Sequence, residues 1–340
     1  MDLTLSLAIN PYDRVLPLTT GDVKPGGIRL DYVGMPGGNG VVFYDQLKFS
    51  RYDISEMSIS SFLVQRARGW PYRMLPVFHN RNFSYTDIVV RVGSGIRVDH
   101  PEDLKGKRFA IRDYQQTAGL WIRGVLSEAF GVRPEDMDWY QTRGRSFSLT
   151  GASRTTPPVA VRYVEDDASV LFARGDIDAS WSGVVTAPSE RGRLARGDVD
   201  VRGQAGVTRL FSDPKAESLR WYRASGIFPA HHVTVIREEL LEAHPWVATS
   251  LVEAFEEAKQ LALQRRRLQS LFVFGHHEVE QVREVMGPDP YAYGLARNAL
   301  MIDRLQAMSV EQGLTERKQP WAEIFPEETL VAEEGVTPGA

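Results

Sequence analysis

The sequence contains no cysteine among its 340 residues, and several kinds of chemistry are excluded as a result. The protein has no disulfide, no thiolate nucleophile, no cysteine-bound zinc and no iron–sulfur cluster. It also lacks the run of about 18 apolar residues that a membrane-spanning helix needs. Positive charge is not in excess, because 40 Lys and Arg against 44 Asp and Glu give a net charge of −4. We therefore expect neither a nucleic-acid partner nor a membrane partner.

The start of the chain lacks the pattern of a secretory signal, which would combine a basic start with about 7–15 apolar residues. Residue 2 is Asp, and residues 3–9 alternate between apolar and polar side chains. This alternation predicts a strand rather than a signal. We expect a cytoplasmic protein.

Strand and helix patterns alternate along most of the chain, which predicts an α/β architecture with largely parallel sheets. A chain of this length is typical of about two domains. Strand patterns occur at 3–9, 28–33, 73–77, 87–92, 109–111, 138–141, 177–181 and 233–236, and helical patterns at 59–66, 118–130, 169–175, 219–225, 238–243, 245–267, 279–286 and 295–312. The predicted division is into a first lobe of residues 1–91 plus 233–340, which includes the C-terminal helices, and a second lobe of residues 92–232.

Loops that follow predicted strands are the first places to look for a site, because ligands of open α/β sheets bind at the carboxyl ends of strands. One such loop carries Tyr12 and Arg14, and another carries His79 and Arg81. A guanidinium binds a carboxylate as a planar fork. These loops predict a cleft for a small carboxylate.

Two predicted helix starts add polar groups to the same cleft. Ser58 and Ser60 lie at one of them, and Gln115 and Thr117 lie at the other. The first N–H groups of a helix and the positive end of its dipole favour an anion. Surface arginines and serines are also common in loops that bind nothing, so the prediction depends on these residues as a set.

A pair of histidines, His231 and His232, lies between a turn and a strand pattern. Histidine is suited to proton transfer near neutral pH, and His232 could project into the cleft as a general acid. A hinge histidine bonded to backbone would fit the same position. Both interpretations stay open at the level of sequence.

Three further patterns predict no site. His276 and Glu280 share a helix face, but a solvated helix start explains them as well as a metal does, and we predict no metal. The glycines at 37–40 and 93–95 do not form a nucleotide-binding fingerprint. Residues 143–158 are rich in Ser, Thr, Gly, Arg and Pro, which predicts a long exposed loop.

Taken together, several motifs resemble the 4,5-dihydroxyphthalate decarboxylase family. They are YDR at 12–14, DISEMSISSFL at 53–63, RARG at 66–69, PVF at 76–78, RNF at 81–83, YQQTA at 114–118, WIRG at 121–124, GIFP at 226–229 with His232, PWVA at 245–248, YGL at 293–295 and EQGL at 311–314. The resemblance covers about residues 3–330. It departs from the family pattern at 143–158 and at 181–188, where an expected Arg-Pro pair is absent, so the exact substrate and the activity stay open.

The resemblance implies a two-lobed fold like that of type 2 periplasmic binding proteins, with a cleft between the lobes and C-terminal helices. It implies a decarboxylase that needs no cofactor and acts on a hydroxylated aromatic acid. Within that expectation we assign proton donation to His232, with His79 as the second choice. The side chains expected to hold the substrate are Arg81 and Arg14 as carboxylate clamps, Ser58, Ser60, Gln115 and Thr117 at the helix starts, and Tyr12 and Tyr114 at the ring.

Two other functions remain compatible with the same fold. A solute-binding or sensor protein could close on a small aromatic carboxylate without reacting, because fold alone does not decide function. Synthesis of a thiamin-type precursor would require a site rich in Lys or His, for which the sequence gives little support. The C-terminal helices also offer apolar surface through which the chain could form a homo-oligomer.

Overall fold

Two β-sheets form the framework of the protein. The structure is a computed structural model, and it describes residues 2–181, 200–268 and 273–334. The strands in chain order are β1 Leu3–Ala8, β2 Ile28–Tyr32, β3 Ile54–Ser58, β4 Tyr72–Arg81, β5 Ile88–Arg91, β6 Arg108–Ile111, β7 Asp138–Gln141, β8 Val161–Tyr163, β9 Ala179–Trp181, β10 Val207–Arg209 and β11 Ala230–Arg237. Helices cover both sheets, as the predicted α/β class requires.

The first sheet has the strand order β2-β1-β3-β11-β4. Strand β1 runs parallel to β2 and β3, whereas β11 runs antiparallel to β3 and β4. All five residues of β3 are buried, as expected for a central strand with both faces covered. The register places His232 of β11 opposite Ser58 and His79.

The second sheet has the strand order β10-β5-β9-β6-β7-β8. Its pairs β6–β7, β6–β9 and β7–β8 are parallel, and its pairs β5–β9 and β5–β10 are antiparallel. Both sheets are therefore mixed, and the prediction of largely parallel sheets was wrong for the strands that return from one sheet to the other. The antiparallel strands β5, β10 and β11 are those next to the two places where the chain passes from one sheet to the other, and they make both sheets mixed.

The chain passes between the sheets twice. The first passage lies between β4 and β5, and the second lies between β10 and β11. Strand β5 pairs in the second sheet, although the predicted first lobe extended to residue 91. The division into lobes at 91/92 and 232/233 itself stays a prediction.

The helices agree with most of the predicted patterns. They are α1 Leu16–Thr19, α2 Asn39–Phe49, α3 Ile59–Arg66, α4 Thr117–Phe130, α5 Leu149–Ser153, α6 Ala168–Arg174, α7 Pro214–Ser225, α8 Glu238–Ala243, α9 Trp246–Leu268, α10 Gly275–Met286, α11 Ala299–Glu311, α12 Trp321–Ile324 and α13 Glu327–Glu334. The Ser58 hydroxyl caps α3 by accepting the N–H of Ser61, and Gly131 ends α4 in the left-handed conformation.

Two segments differ from their predicted structure. The glycines at 37–40 lead directly into α2, which the sequence analysis did not predict. Residues 143–158 are not one exposed loop, because they include α5 and a short 3₁₀ turn, and Arg143, Leu149 and Ser153 are buried. Local composition failed here because contacts with α2 and α3 decide the burial. The predicted departure at 181–188 lies, from residue 182 onward, outside the described residues.

The C-terminal helices join the two sheets into one core. Helix α11 packs on α4 and on α3, and Gly124 of α4 permits the close approach, because a Cβ there would lie 2.3 Å from the Met308 sulfur. Helix α9 packs on α1 and β4, where Val247, Leu251 and Phe255 are fully buried. None of the helices in the described part of the chain combines the length and apolar character that a bilayer-spanning helix needs.

Candidate active site

A cavity of about 430 Å³ opens at the carboxyl ends of strands from both sheets. This volume lies within the usual range for small-molecule sites, about 300–1,000 Å³. The first-sheet wall carries Asn10, Tyr12, Ser58 and His232, together with the start of α2; the second-sheet wall carries Arg112, Thr117, Arg143, Leu149 and Trp181. Apolar and charged side chains therefore meet in one concave site.

His232 is the central residue of the first-sheet wall. Its Nδ1 lies 2.6 Å from Oε1 of Glu56, and the Phe43 ring packs against the imidazole edge with 4.9 Å between centroids. The side chain is 13% exposed and lines the cavity. Because Nδ1 is engaged with Glu56, the ring nitrogen left for a bound molecule is Nε2.

Glu56 is fully buried and accepts four hydrogen bonds. The Tyr12 hydroxyl and His232 Nδ1 donate to Oε1, whereas the backbone N–H and Nδ2 of Asn10 donate to Oε2. Burial alone would raise the pKa of this carboxyl, but the hydrogen bond and charge of His232, with help from His79 and Tyr12, lower the pKa to about 2. Glu56 is therefore ionised near neutral pH and offers a counter-charge to a protonated His232.

The other two histidines of the region have a different environment. His79 is fully buried, and its Nε2 lies 2.8 Å from the Thr234 hydroxyl. His231 lines the cavity, but its Nε2 is bonded to the Asn82 carbonyl at 3.1 Å. Burial lowers the pKa of each to about 3. Both are therefore neutral near neutral pH, and His231, rather than His232, is the histidine bonded to backbone.

Arg112 and Arg143 supply the positive charge of the second-sheet wall. The Arg112 guanidinium lies over the Trp181 ring, 5.0 Å from its centroid. Arg143 is 7% exposed, and its Nη1 lies 3.7 Å from Oδ2 of Asp113. Burial raises the pKa of Asp113 even though Arg143 acts in the opposite direction. The Nε of Arg143 is enclosed without an acceptor.

The start of α2 brings backbone close to Arg143. A Cβ on Gly40 would lie 2.9 Å from Nη2 of Arg143, so only glycine leaves the guanidinium in this position. The start of α4 lies nearby, where the Thr117 hydroxyl accepts the Ser60 N–H at 3.0 Å and lies 2.9 Å from the Ser58 hydroxyl. Two helix N-termini and two guanidiniums therefore adjoin the cavity, a combination suited to an anionic ligand.

Four of the predicted site residues line this cavity: Tyr12, Ser58, Thr117 and His232. The remaining six do not: Arg14, Ser60, His79, Arg81, Tyr114 and Gln115. Gln115 contacts Ser61, Ser153 and Thr155, and the Tyr114 ring lies against the Arg123 guanidinium, 3.7 Å away.

The two predicted clamps, Arg14 and Arg81, do not face the cavity. Arg81 donates to the Phe228 carbonyl at 2.8 Å and to the Asn298 side chain. Arg14 packs on the rings of Tyr12 and Tyr291 at 4.5 and 4.8 Å. The guanidiniums that face the cavity are Arg112 and Arg143, which the sequence analysis did not select.

The sequence analysis also missed Glu56. Its signal was present, because an acidic residue in the middle of an otherwise uncharged strand demands a buried partner. Arg112 could have been found as the residue directly after a strand. Arg143 could not, because its surroundings were interpreted as an exposed loop.

No metal centre is indicated among the described residues, which include no group of three or more His, Asp and Glu side chains placed to hold an ion. His277 Nδ1 and Glu280 Oε2 lie 3.9 Å apart on the exposed face of α10. The geometry there is that of a solvated helix start.

Comparison with known proteins gives a consistent family. The chain is 36% identical over 337 residues, covering 95% of it and 96% of the relative, to the 4,5-dihydroxyphthalate decarboxylase of Comamonas testosteroni. It is 33% identical over 227 residues, covering 65% of it and 82% of the relative, to the enzyme of the same name from Pseudomonas putida. No family model matches the chain.

Solved structures confirm the predicted fold. The periplasmic aliphatic sulphonate binding protein SsuA of Escherichia coli aligns over 96% of this chain and 92% of its own, with a TM-score of 0.53 and 14% identity. A putative sulfonate-binding SsuA of Methylobacillus flagellatus aligns over 100% and 98%, with a TM-score of 0.56 and 14% identity. At this identity the likeness concerns the two-lobed periplasmic-binding-protein fold alone.

Proposed function

Because the chain belongs to the 4,5-dihydroxyphthalate decarboxylase family, we propose that it decarboxylates 4,5-dihydroxyphthalate and releases CO2 and protocatechuate. The observation that carries this proposal is the His232–Glu56 pair in the wall of a cavity that also holds two guanidiniums. A proton donor and a dianion-binding surface are the two things this reaction requires.

The reaction needs a proton at the ring carbon before CO2 departs. Direct loss of CO2 would leave an aryl anion with no stabilisation. In 4,5-dihydroxyphthalate each carboxylate is para to a hydroxyl, whose electrons can move into the ring as the carbon takes a proton. The C–H bond forms first; the C–CO2 bond then breaks, and its electron pair restores the aromatic ring.

His232 is placed to provide that proton. Its Nδ1 is bonded to the ionised Glu56 carboxylate, so the imidazolium form carries its second proton on Nε2, at the cavity. After the transfer, the neutral imidazole still carries a proton on Nδ1, which it donates in the hydrogen bond to Glu56. Glu56 acts through His232 and is a positioning residue. Burial lowers the pKa of His79 and of His231 to about 3, so both are neutral near neutral pH and neither has a proton to donate as an imidazolium.

Arg112 and Arg143 hold the carboxylates in this scheme. Their guanidiniums can accept a planar anion as a fork, and the starts of α2 and α4 add N–H groups and helix dipoles. Phe43, Leu149 and Trp181 provide the apolar contacts for the ring. An apolar surface next to the leaving carboxylate favours the change from an anion to neutral CO2.

The test is CO2 release from a panel of hydroxylated phthalates and benzoates, measured with the purified chain. We expect turnover of 4,5-dihydroxyphthalate, much slower turnover of acids that lack a para hydroxyl, and unchanged rates after treatment with a chelator. Thermal stabilisation by these acids without turnover would instead support the solute-binding alternative. The relatives of this chain, which are named as decarboxylases, do not favour that alternative.

Two further expectations accompany the proposal. The cytoplasmic location predicted from the sequence would be tested by fractionating cells that produce the protein. Self-association through the C-terminal helices would be tested by light scattering. Neither expectation affects the chemistry assigned to the cavity.

A further inference from the structure

The Glu56 carboxylate spreads one negative charge over two oxygens, and each oxygen accepts from two donors. Oε1 accepts from the Tyr12 hydroxyl and from His232 Nδ1, each at 2.6 Å. Oε2 accepts from the backbone N–H of Asn10 at 3.0 Å and from its Nδ2 at 2.8 Å. The donors of Tyr12 and Asn10 are uncharged. They therefore compete with the His232 imidazolium for the charge of one carboxylate.

The Tyr12 hydroxyl competes most directly, because it donates to the same oxygen as His232. Burial, followed by the charge and the hydrogen bond of Glu56, raises the pKa of Tyr12 well above its ordinary value. The hydroxyl therefore keeps its proton and stays a donor. A neutral donor that stabilises a carboxylate lowers the proton affinity of that carboxylate and weakens its hold on a neighbouring cation.

The side-chain amide of Asn10 is held in its donating orientation. Its Nδ2 donates to Oδ1 of Asn39, 2.7 Å away, as well as to Glu56. If the amide turned over, its oxygen would face two acceptors that have no proton to give. Asn39, the first residue of α2, therefore keeps Asn10 a donor to Glu56.

We propose that Tyr12, assisted by Asn10, sets the acid strength of His232 by sharing the charge of Glu56. The inference rests on the proposed function, in which Nε2 gives its proton to the ring carbon and keeps the electron pair of the N–H bond. A carboxylate satisfied by His232 alone would stabilise the imidazolium more, and Nε2 would be a weaker acid. Tyr12 acts through Glu56 and is a positioning residue.

Other ionisable groups surround the pair without deciding this comparison. They are His79 and Arg81 of β4, His231 of β11, Tyr32 of β2, Arg14 after β1, and Arg112 and Arg143 across the cavity. Burial lowers the pKa of His79 and His231 to about 3 and raises that of Tyr32, and the guanidiniums stay charged. Their charges are therefore constant between about pH 5 and pH 9.

The test compares Tyr12→Phe with Glu56→Gln, because the two substitutions should change the acid strength of His232 in opposite directions. In Tyr12→Phe the carboxylate holds the imidazolium more strongly. The alkaline limb of kcat/KM should move up by about 0.5–1 pH unit, and kcat should fall about threefold. In Glu56→Gln the counter-charge is lost, and the limb should move down. Asn10→Ala keeps the backbone donor and removes Nδ2, so it should also move the limb up.

A second readout does not depend on turnover. NMR spectra of the full chain with 15N-labelled histidine follow the protonation of each imidazole, and the His232 signals are those missing from His232→Gln. Their titration midpoint should move up in Tyr12→Phe and down in Glu56→Gln, as the limb does. If the chain turned over none of the acids tested, the proposed function would fail, and this titration would still decide whether the charge is shared.

Tyr32→Phe is the matched control, because the Tyr32 hydroxyl donates to the Ile9 carbonyl at 3.1 Å rather than to Glu56. It should leave the limb and the titration midpoint unchanged. A limb and a midpoint that stay in place or move down in Tyr12→Phe would overturn the proposal. An equal shift in Tyr32→Phe would overturn it too, because the effect would not then come from the bond to Glu56.

Discussion

The two walls of the cavity differ in what they contribute. The first-sheet wall contains one histidine held by a buried carboxylate, with the Tyr12 hydroxyl on the same carboxylate. The second-sheet wall contains two guanidiniums, one of them tied to a buried aspartate. In the proposed mechanism, proton transfer belongs to the first-sheet wall and charge recognition to the second-sheet wall.

This separation explains why a fold shared with solute-binding proteins can support a reaction. A closing cleft already brings two walls together around a ligand. Reaction requires in addition that one wall present a group able to change its protonation state. The separation also predicts that variants in the first wall lower kcat, whereas variants in the second wall chiefly raise KM.

The largest expected effect follows replacement of the proton donor. His232→Gln should lower kcat for 4,5-dihydroxyphthalate by about 1,000-fold, within the usual contribution of a general acid, with little change in KM. His100→Gln is a suitable control, because the His100 side chain is 45% exposed and its Nδ1 lies 2.7 Å from Glu102. If the His232 variant kept wild-type turnover, proton donation would have to be assigned elsewhere.

Replacement of the carboxylate behind His232 should have the next largest effect. Glu56→Gln should lower kcat by about 100-fold, because Gln can no longer accept from His232, Tyr12 and Asn10 together. The stability of the protein provides a second measurement. The pKa of Glu56 is about 2 in the folded protein against 4.5 as the reference value, so its contribution is present above pH 4.5 and is lost as the pH falls towards 2.

Urea unfolding across that pH range tests the second measurement. The difference in free energy of unfolding between wild type and Glu56→Gln should be greatest above pH 4.5 and shrink as the pH falls to 2. A difference that stays constant with pH would show that Glu56 is not held ionised, and would remove the counter-charge assigned to His232.

The second wall is tested at Arg143. Arg143→Met should raise KM by roughly 10- to 100-fold, the loss expected for hydrogen bonds to a charged group, while kcat changes much less. Arg143→Lys keeps the positive charge but not the planar fork of donors, so its KM should lie between those of the wild type and Arg143→Met. Arg145→Met, at the exposed arginine nearby, is the control. An effect confined to kcat would contradict the division between the walls.

Most of the fold could be predicted from the sequence because its signals are local. The period-two pattern of β1, the serine cap of α3 and the glycine that ends α4 depend only on neighbouring residues, and the structure confirms them. Helix α2 was missed because it begins in a run of glycines. The mixed character of the sheets was missed because strand direction depends on where the chain crosses.

The site was less predictable, because local chemistry does not say which way a side chain points. Arg14 lies in the loop after β1 and Arg81 ends β4, positions where ligand-binding residues often occur, yet neither lines the cavity. Arg143 follows β7 in a segment whose composition is typical of a loop, yet it is buried. His232 could be selected because it lies near the start of a strand, where the backbone fixes the direction of the side chain.

A smaller effect is expected where α2 meets the second wall. Gly40→Ala places a methyl group 2.9 Å from Nη2 of Arg143, and displacing the guanidinium should raise KM by about fivefold, equivalent to about 1 kcal/mol. Gly144→Ala is a matched control, since a Cβ there would meet nothing within 4 Å. Equal KM values for the two variants would show that Arg143 does not need this position.

The smallest effects separate two serines that the sequence treats alike. Ser58 caps α3 and contacts Thr117 of the opposite wall, so Ser58→Ala should lower the free energy of unfolding by about 1 kcal/mol. The buried Ser60 hydroxyl has no partner, and its removal should leave stability unchanged or slightly increased. Urea unfolding of both variants measures the difference. If Ser60→Ala proved the more damaging, the Ser60 hydroxyl would make a stabilising contact, and the distinction drawn between the two serines would be wrong.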